Sequence, residues 1–252
     1  MRLIAITNQK GGSAKTTTAV NLAGALAKNK RMVLLIDLDP QASASEWFSI
    51  TGTDKGLFRI LTDNIGDLLD IVTPTRVPGI DIIPASPWLI GIDAALSHEV
   101  GRESILRKKT GALPKNRWDY ILFDCSPSLG IMTINALTAS AEILVPVETH
   151  SMALAGLTHL IKTVSLVRKR LNAALRISGI VACRVNRTRH AREILGHIRD
   201  NFGELVYKTV VRENIRLAEA SSQKRPITEY APDSTGARDY LSLAHEVIHQ
   251  KG

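Results

Sequence analysis

The chain has 252 residues, 44% of them hydrophobic, which is enough to bury one sizeable core without help from disulfides or metal. Its two cysteines, Cys125 and Cys183, are far apart and in no CxxC spacing, so neither a disulfide framework nor a zinc site is expected. No run reaches the roughly 18 to 20 apolar residues that span a bilayer, and the chain opens on an apolar strand rather than a charged leader, so a soluble cytoplasmic protein is expected.

The net charge of +8 is one-sided: fifteen basic and fifteen acidic residues lie up to His150, and seventeen basic against nine acidic follow it. A charge serving solubility alone would be spread evenly. A one-sided basic surface suits a polyanion and makes nucleic acid a candidate partner.

In chain order, Leu3 to Thr7 is a short apolar run that predicts a buried strand. It leads into Lys10-Gly11-Gly12-Ser13-Ala14-Lys15-Thr16-Thr17, a glycine loop opening a helix. Strand, glycine loop and helix in that order aim successive backbone N–H groups at phosphate oxygens. Lys15 then neutralises the β- and γ-phosphates, and the Thr16 hydroxyl ligates Mg²⁺. An ordinary strand-to-helix turn with two glycines is the bland alternative, and the acidic strand ends further on argue against it.

Met32 to Leu38 predicts a second strand, ending in Asp37-Leu38-Asp39-Pro40-Gln41, which delivers two carboxylates to the C-terminal edge of the sheet. Thr51 to Thr75 is irregular, Ile80 to Pro84 reads as a strand, and Trp88 to Lys115 as helices packed beside the sheet. Tyr120 to Asp124 is a further strand with an acidic end, followed by Cys125-Ser126-Pro127-Ser128-Leu129-Gly130. Any one of these aspartates alone would be read as a helix cap or turn former. Cys125 is read as a small buried residue.

Ile143 to Val147, Ile177 to Val185 and Val206 to Val211 complete the strands. Met152 to Leu171 carries Leu157, Leu160, Ile161, Val164, Val167 and Leu171 at helical spacing. Ala237 to His249 has Tyr240, Leu241, Ala244, Val247 and Ile248 on one face and is expected to dock as a helix. His150, His159 and His190 have no metal spacing and receive no role. The alternation implies one α/β domain over residues 1–252, a mostly parallel twisted sheet with helices on both faces.

The ordinary phosphate-loop pattern wants glycine at the positions of Gln9 and Ala14, and fails here. The deviant form, with an extra lysine at Lys10, resembles the ParA/MinD family of P-loop ATPases, and within it the short ParA branch. The likeness continues through Asp37 to Gln41, Trp118 to Gly130, Val145-Pro146-Val147-Glu148 to Leu157, and Ile215 to Ala220 onward, covering nearly the whole chain. It implies ATP and Mg²⁺ as cofactors, with Lys10 to Thr17 as the nucleotide loop. Thr16 and, through water, Asp124 hold the metal, assisted indirectly by Asp37, and Asp39 orients the attacking water. Lys10 is the signature lysine that crosses a nucleotide-sandwich homodimer to the partner's phosphates. Ala14 departs from the family's glycine and predicts a shifted loop or slower hydrolysis, and Ser126 replaces a usual proline.

The resemblance also gives meaning to Arg184, Arg187, Arg189, Arg212 and Arg216, which otherwise read as solvated charge. Arg187 and Arg216 match positions that grip double-stranded DNA without reading sequence, and Arg184 or Arg189 are alternative counterparts of Arg187. The implied function is an ATP-dependent dimerisation switch on nonspecific nucleoid DNA. It partitions or positions a plasmid, chromosome or protein body, and a ParB-like or cargo-adaptor partner stimulates its slow hydrolysis. No N-terminal DNA-reading domain is expected, and hence no operator-specific repression. A MinD-like membrane ATPase needs a basic amphipathic tail, whereas the chain ends in His249-Gln250-Lys251-Gly252, so no membrane partner is expected. A redox or amide-forming enzyme on this scaffold is the remaining alternative; paired cluster cysteines for the former are missing.

Overall fold

The computed structural model describes residues 1–52, 56–63, 65–150 and 153–250. Eight strands form one sheet: β1 (Arg2–Ile6), β2 (Val33–Asp37), β3 (Thr73–Pro74), β4 (Ile80–Ile83), β5 (Tyr120–Asp124), β6 (Glu142–Glu148), β7 (Arg176–Val185) and β8 (Val206–Arg212). Their spatial order is β3-β4-β2-β5-β1-β6-β7-β8, parallel throughout except for the antiparallel β3–β4 edge. The mostly parallel sheet expected from strand-helix alternation is therefore present.

The helices are α1 (Lys15–Lys28), α2 (Ser43–Trp47), α3 (Gly56–Thr62), α4 (Ile92–Ala95), α5 (Ile105–Gly111), α6 (Ile131–Ala139), α7 (Ala153–Arg170), α8 (Arg189–Phe202), α9 (Ile215–Ser222), α10 (Ile227–Tyr230) and α11 (Thr235–His249). They cover both faces, which is why the central strands are apolar on both sides. Ile4 and Ile6 point into a core shared with α1 and α11, while Ala5, Leu34 and Ile36 point into the opposite core with α6 and α7.

The expected helix at Met152 to Leu171 is α7, with Leu157, Leu160, Val164 and Val167 buried; Met152 lies outside the described residues. Helix α11 docks as expected, burying Tyr240, Leu243, Ala244 and Val247. It packs on α1 and β8, where the Glu246 carboxylate accepts the Lys208 and Thr209 N–H groups at 2.9 and 2.8 Å. Helix α1 lies so close to the segment before α10 that a Cβ on Gly24 would come within 2.6 Å of Pro226. No helix among the described residues is long and apolar enough to cross a membrane.

Candidate nucleotide site

β1 lies mid-sheet, between β5 and β6, so the loop that follows it emerges at a crevice on the C-terminal edge, where ligands of such sheets bind. The Asn8 carboxamide fixes the start of this loop, donating to the Pro146 carbonyl at 2.7 Å and accepting from the Lys10 N–H at 3.3 Å. Gly12, at φ +75°, turns the chain, and a Cβ on Gly11 or Gly12 would meet nothing within 4 Å, so that flank of the loop is open to a ligand. Ala14 is also left-handed, at φ 62° and ψ 26°, a conformation glycine adopts freely and alanine does not. Its side chain cannot cap α1, and the first turn of α1 carries no acidic residue, so the helix's positive end faces the loop.

Lys15 is 6% exposed. Its ammonium donates to the Lys10 carbonyl at 2.9 Å and to the Ser13 hydroxyl at 3.4 Å, and so sits inside the loop's own curve. Burial pushes its pKa down, partly offset by Asp124 and Asp39. An anion seated in the loop would return to Lys15 the negative partner that its surroundings supply only in part.

The two strand-end carboxylates are brought side by side because β2 and β5 are neighbours registered Asp37 to Asp124. Their environments differ. Asp37 spends both oxygens on its own chain, accepting from the Ser45 N–H and hydroxyl at 2.8 and 2.7 Å and from the Asp39 N–H at 3.1 Å; burial still lifts its pKa to about 6. It therefore shapes the segment that presents Asp39. Asp124 is fully buried, and neither of its oxygens has a hydrogen-bond partner. Burial first and Asp37 second push its pKa well up, while the nearby Thr16 hydroxyl and Lys15 hold it back, Thr16 without regular hydrogen-bond geometry. A buried carboxylate with two open oxygens beside a threonine hydroxyl suits a hard divalent cation of the Mg²⁺ type, which binds through one or two carboxylates plus phosphate.

Asp39 is half-buried, accepts from the Gln41 N–H at 3.0 Å, and edges a cleft of about 330 Å³ shared with Ser126, Pro127, Ser128 and Gly130. Across this cleft Asp93 accepts the Ile131 N–H at 2.8 Å, tying α4 to the first turn of α6. Beside the loop lies a larger, mainly apolar cavity of about 630 Å³, lined by Gly12, Ala14, Thr17, Trp47, Ile215 and Leu217 among others. Loop and cavity together give a polar end for phosphates and an apolar end for a planar base. Sequence reading located the first and not the second, although the C-terminal ends of β7 and β8 were a pointer to it.

The arginines do not form one group. Arg184, at φ 51°, is exposed, pairs with Glu148 at 3.0 Å and edges the apolar cavity beside the loop. Arg187 and Arg212 line a separate cleft of about 660 Å³ with Arg192, but the Arg212 guanidinium is clamped on the buried Asp239. Arg189 pairs with Glu193 along α8 at 2.8 Å, and Arg216 with Glu219 at 2.7 Å. Two histidines without metal spacing do have positions at the loop: the Lys10 ammonium lies 2.5 Å from His150 Nε2, and His159 Nδ1 contacts Gln9 Oε1.

A glycine loop between strand and helix, a buried loop lysine and an unpartnered carboxylate on the neighbouring strand define a P-loop nucleotide-binding ATPase. The model of the AAA domain family matches residues 1–177. The chain is 44% identical over 249 residues to the sporulation initiation inhibitor protein Soj of Bacillus subtilis, covering 98% of both chains. It is 39% identical over 255 residues to the chromosome partitioning protein ParA of Caulobacter vibrioides, covering 100% of this chain and 95% of that protein. Among solved structures, cobyrinic acid a,c-diamide synthase from Mycobacterium smegmatis, with a bound ATP analogue and magnesium, has a TM-score of 0.84 at 29% identity, covering 98% of this chain and 94% of that one. The chain belongs to the ParA/MinD family of P-loop ATPases.

Proposed function

We propose that this ATPase is a partition or positioning switch: ATP and Mg²⁺ join two copies, the dimer holds nonspecific DNA, and hydrolysis, slow until a ParB-like or cargo-linked activator docks, releases it. The Lys10 to Thr17 loop takes the phosphates on its N–H groups, and Lys15 balances their charge from within. Thr16 and Asp124, the latter through water, would hold a Mg²⁺, which would supply charge neutralisation to the phosphates, while Asp39, carried by the segment that Asp37 organises, would orient the attacking water. DNA attachment is assigned to the basic C-terminal half, with Arg187 an exposed candidate in no ion pair among the described residues and Arg189 and Arg216, each paired to a glutamate, as further candidates.

The observation that carries this reading is the division between the two loop lysines. Lys15 is buried with its ammonium inside the loop, whereas Lys10 is exposed at the loop's outer end with its ammonium turned to His150. In this reading one lysine serves its own phosphates and the other, free of them, serves a second chain's. Kinship with Soj and ParA supports the partition role, and the one-sided charge supports DNA as the track.

The test is retention on nonspecific duplex DNA with ATP, ADP or no nucleotide, for the native chain and Lys10→Ala. Retention with ATP should exceed that with ADP by about tenfold or more, and Lys10→Ala should abolish the difference. Equal retention in all three states would overturn the switch.

A further inference from the structure

We propose that His150, aided by His159, is a cis lock on the phosphate loop: it holds the Lys10 ammonium against its own chain, and Lys10 must leave it before reaching a second chain. The inference rests on the trans role of Lys10 proposed above and adds the step that limits it.

Three consecutive loop residues are tied to the β6–α7 segment. Asn8 donates to the Pro146 carbonyl at 2.7 Å, Gln9 Oε1 meets His159 Nδ1, and Lys10 Nζ lies 2.5 Å from His150 Nε2. The Lys10 carbonyl meanwhile accepts from Lys15 at 2.9 Å, so the position of Lys10 is felt by the lysine inside the cradle. The contact also fixes a protonation state. An ammonium has only donors, so Nε2 must accept, and His150 is neutral with its proton on Nδ1. An imidazolium has no acceptor and would set two cations against each other.

Two charged groups among the described residues act on His150: Lys10, across the loop, and Glu148, two residues back at the end of β6. Burial first and Lys10 second push its pKa down, with Glu148, itself paired to Arg184 at 3.0 Å, pulling the other way. A histidine held neutral in this way stabilises the closed arrangement above its ordinary pKa and stops doing so as pH falls through it. The lock is therefore closed at neutral pH and opens on acidification. It also leaves the buried Gln9 Nε2 without an acceptor, so the closed loop is not fully satisfied and release needs no large input.

Dimer formation is followed by sedimentation against chain concentration, with Mg²⁺ and a non-hydrolysable ATP analogue, at about pH 7.5 and about pH 6. At the higher pH, His150→Phe should dimerise at roughly three- to tenfold lower concentration than the native chain, the net range of an ordinary hydrogen bond. The native chain should gain similarly on acidification. His150→Gln, which accepts from Lys10 without titrating, should show neither gain. A His150→Phe constant equal to the native one, or a native-like pH response in His150→Gln, would each overturn the lock and leave the dimer reading standing. Absence of any ATP-dependent dimer in the native chain would overturn that reading and the lock with it.

Discussion

Ala14 carries a Cβ in a backbone conformation that costs an L-residue about 1–2 kcal/mol, at the turn where the phosphate loop becomes α1. The loop nevertheless keeps its form, because Asn8, Gly12 and the internal bonds of Lys15 fix it from both sides. The sequence pattern marks this alanine as a departure, and φ 62° supplies the reason glycine is preferred. Ala14→Gly should stabilise the nucleotide-free protein by about 0.5–1 kcal/mol, the strain relieved minus the added freedom of the unfolded chain. Chemical denaturation measures this; a destabilised variant would show that the Cβ, which borders the larger cavity, contributes packing that outweighs the strain. Asp124 is the second residue whose cost points to use, since a buried carboxylate with two unpaired oxygens is tolerated only where something else completes it.

At the scale of elements, β8 is fastened to α11 by two carboxylates, Glu246 at Lys208 and Thr209 and Asp239 at Arg212. Asp239 is 6% exposed and accepts the Arg212 N–H at 3.0 Å together with its guanidinium, with Nε at 3.2 and 3.1 Å. Arg212 is thereby committed to the fold more than to a polyanion. Asp239→Ala should cost about 1–3 kcal/mol, because a strand N–H and a charged side chain both lose their acceptor. Arg187→Ala, at an exposed arginine with no ion pair among the described residues, should leave stability within about 0.5 kcal/mol. Thermal unfolding of the two variants checks the contrast, and equal losses would refute it. The same scale explains what was legible. Seven strands could be read because each is a run of apolar residues long enough to reveal itself, whereas β3 has two residues, one of them Pro74, and shows no period. Thr51 to Thr75 and Trp88 to Lys115 were opaque in detail because their described residues fold into helices of four to seven residues and short 3₁₀ turns. In the site, the loop and the strand-end aspartates are contiguous in sequence and could be recognised. The apolar cavity draws on segments from Gly12 to Tyr240, and the Lys10–His150 contact joins positions 140 residues apart, so only folding reveals either.

For the whole molecule, the excess positive charge belongs to the part of the chain after His150, which supplies β7 and β8 at one edge of the sheet and the helices around them. Helix α8 buries Ala191, Ile194, Leu195 and Ile198, and leaves Arg192 and Arg199, neither in an ion pair among the described residues, on its exposed side, Arg192 in the cleft with Arg187. Attachment through such a face works by releasing counterions from phosphates, so log affinity falls linearly with log salt with a slope of about −0.9 for each phosphate neutralised. A single chain presents one such face, and a dimer presents two to the same duplex. The salt slope with ATP should therefore be about twice that of Lys10→Ala, measured at low salt where both are retained. The slope counts contacts independently of absolute affinity, so it separates two geometries that a single binding constant would confuse. A steeper slope in the native chain alone means that nucleotide recruits a second face. Equal slopes with different affinities mean that Lys10 acts on the fold or on the nucleotide, and that one chain carries the whole DNA contact.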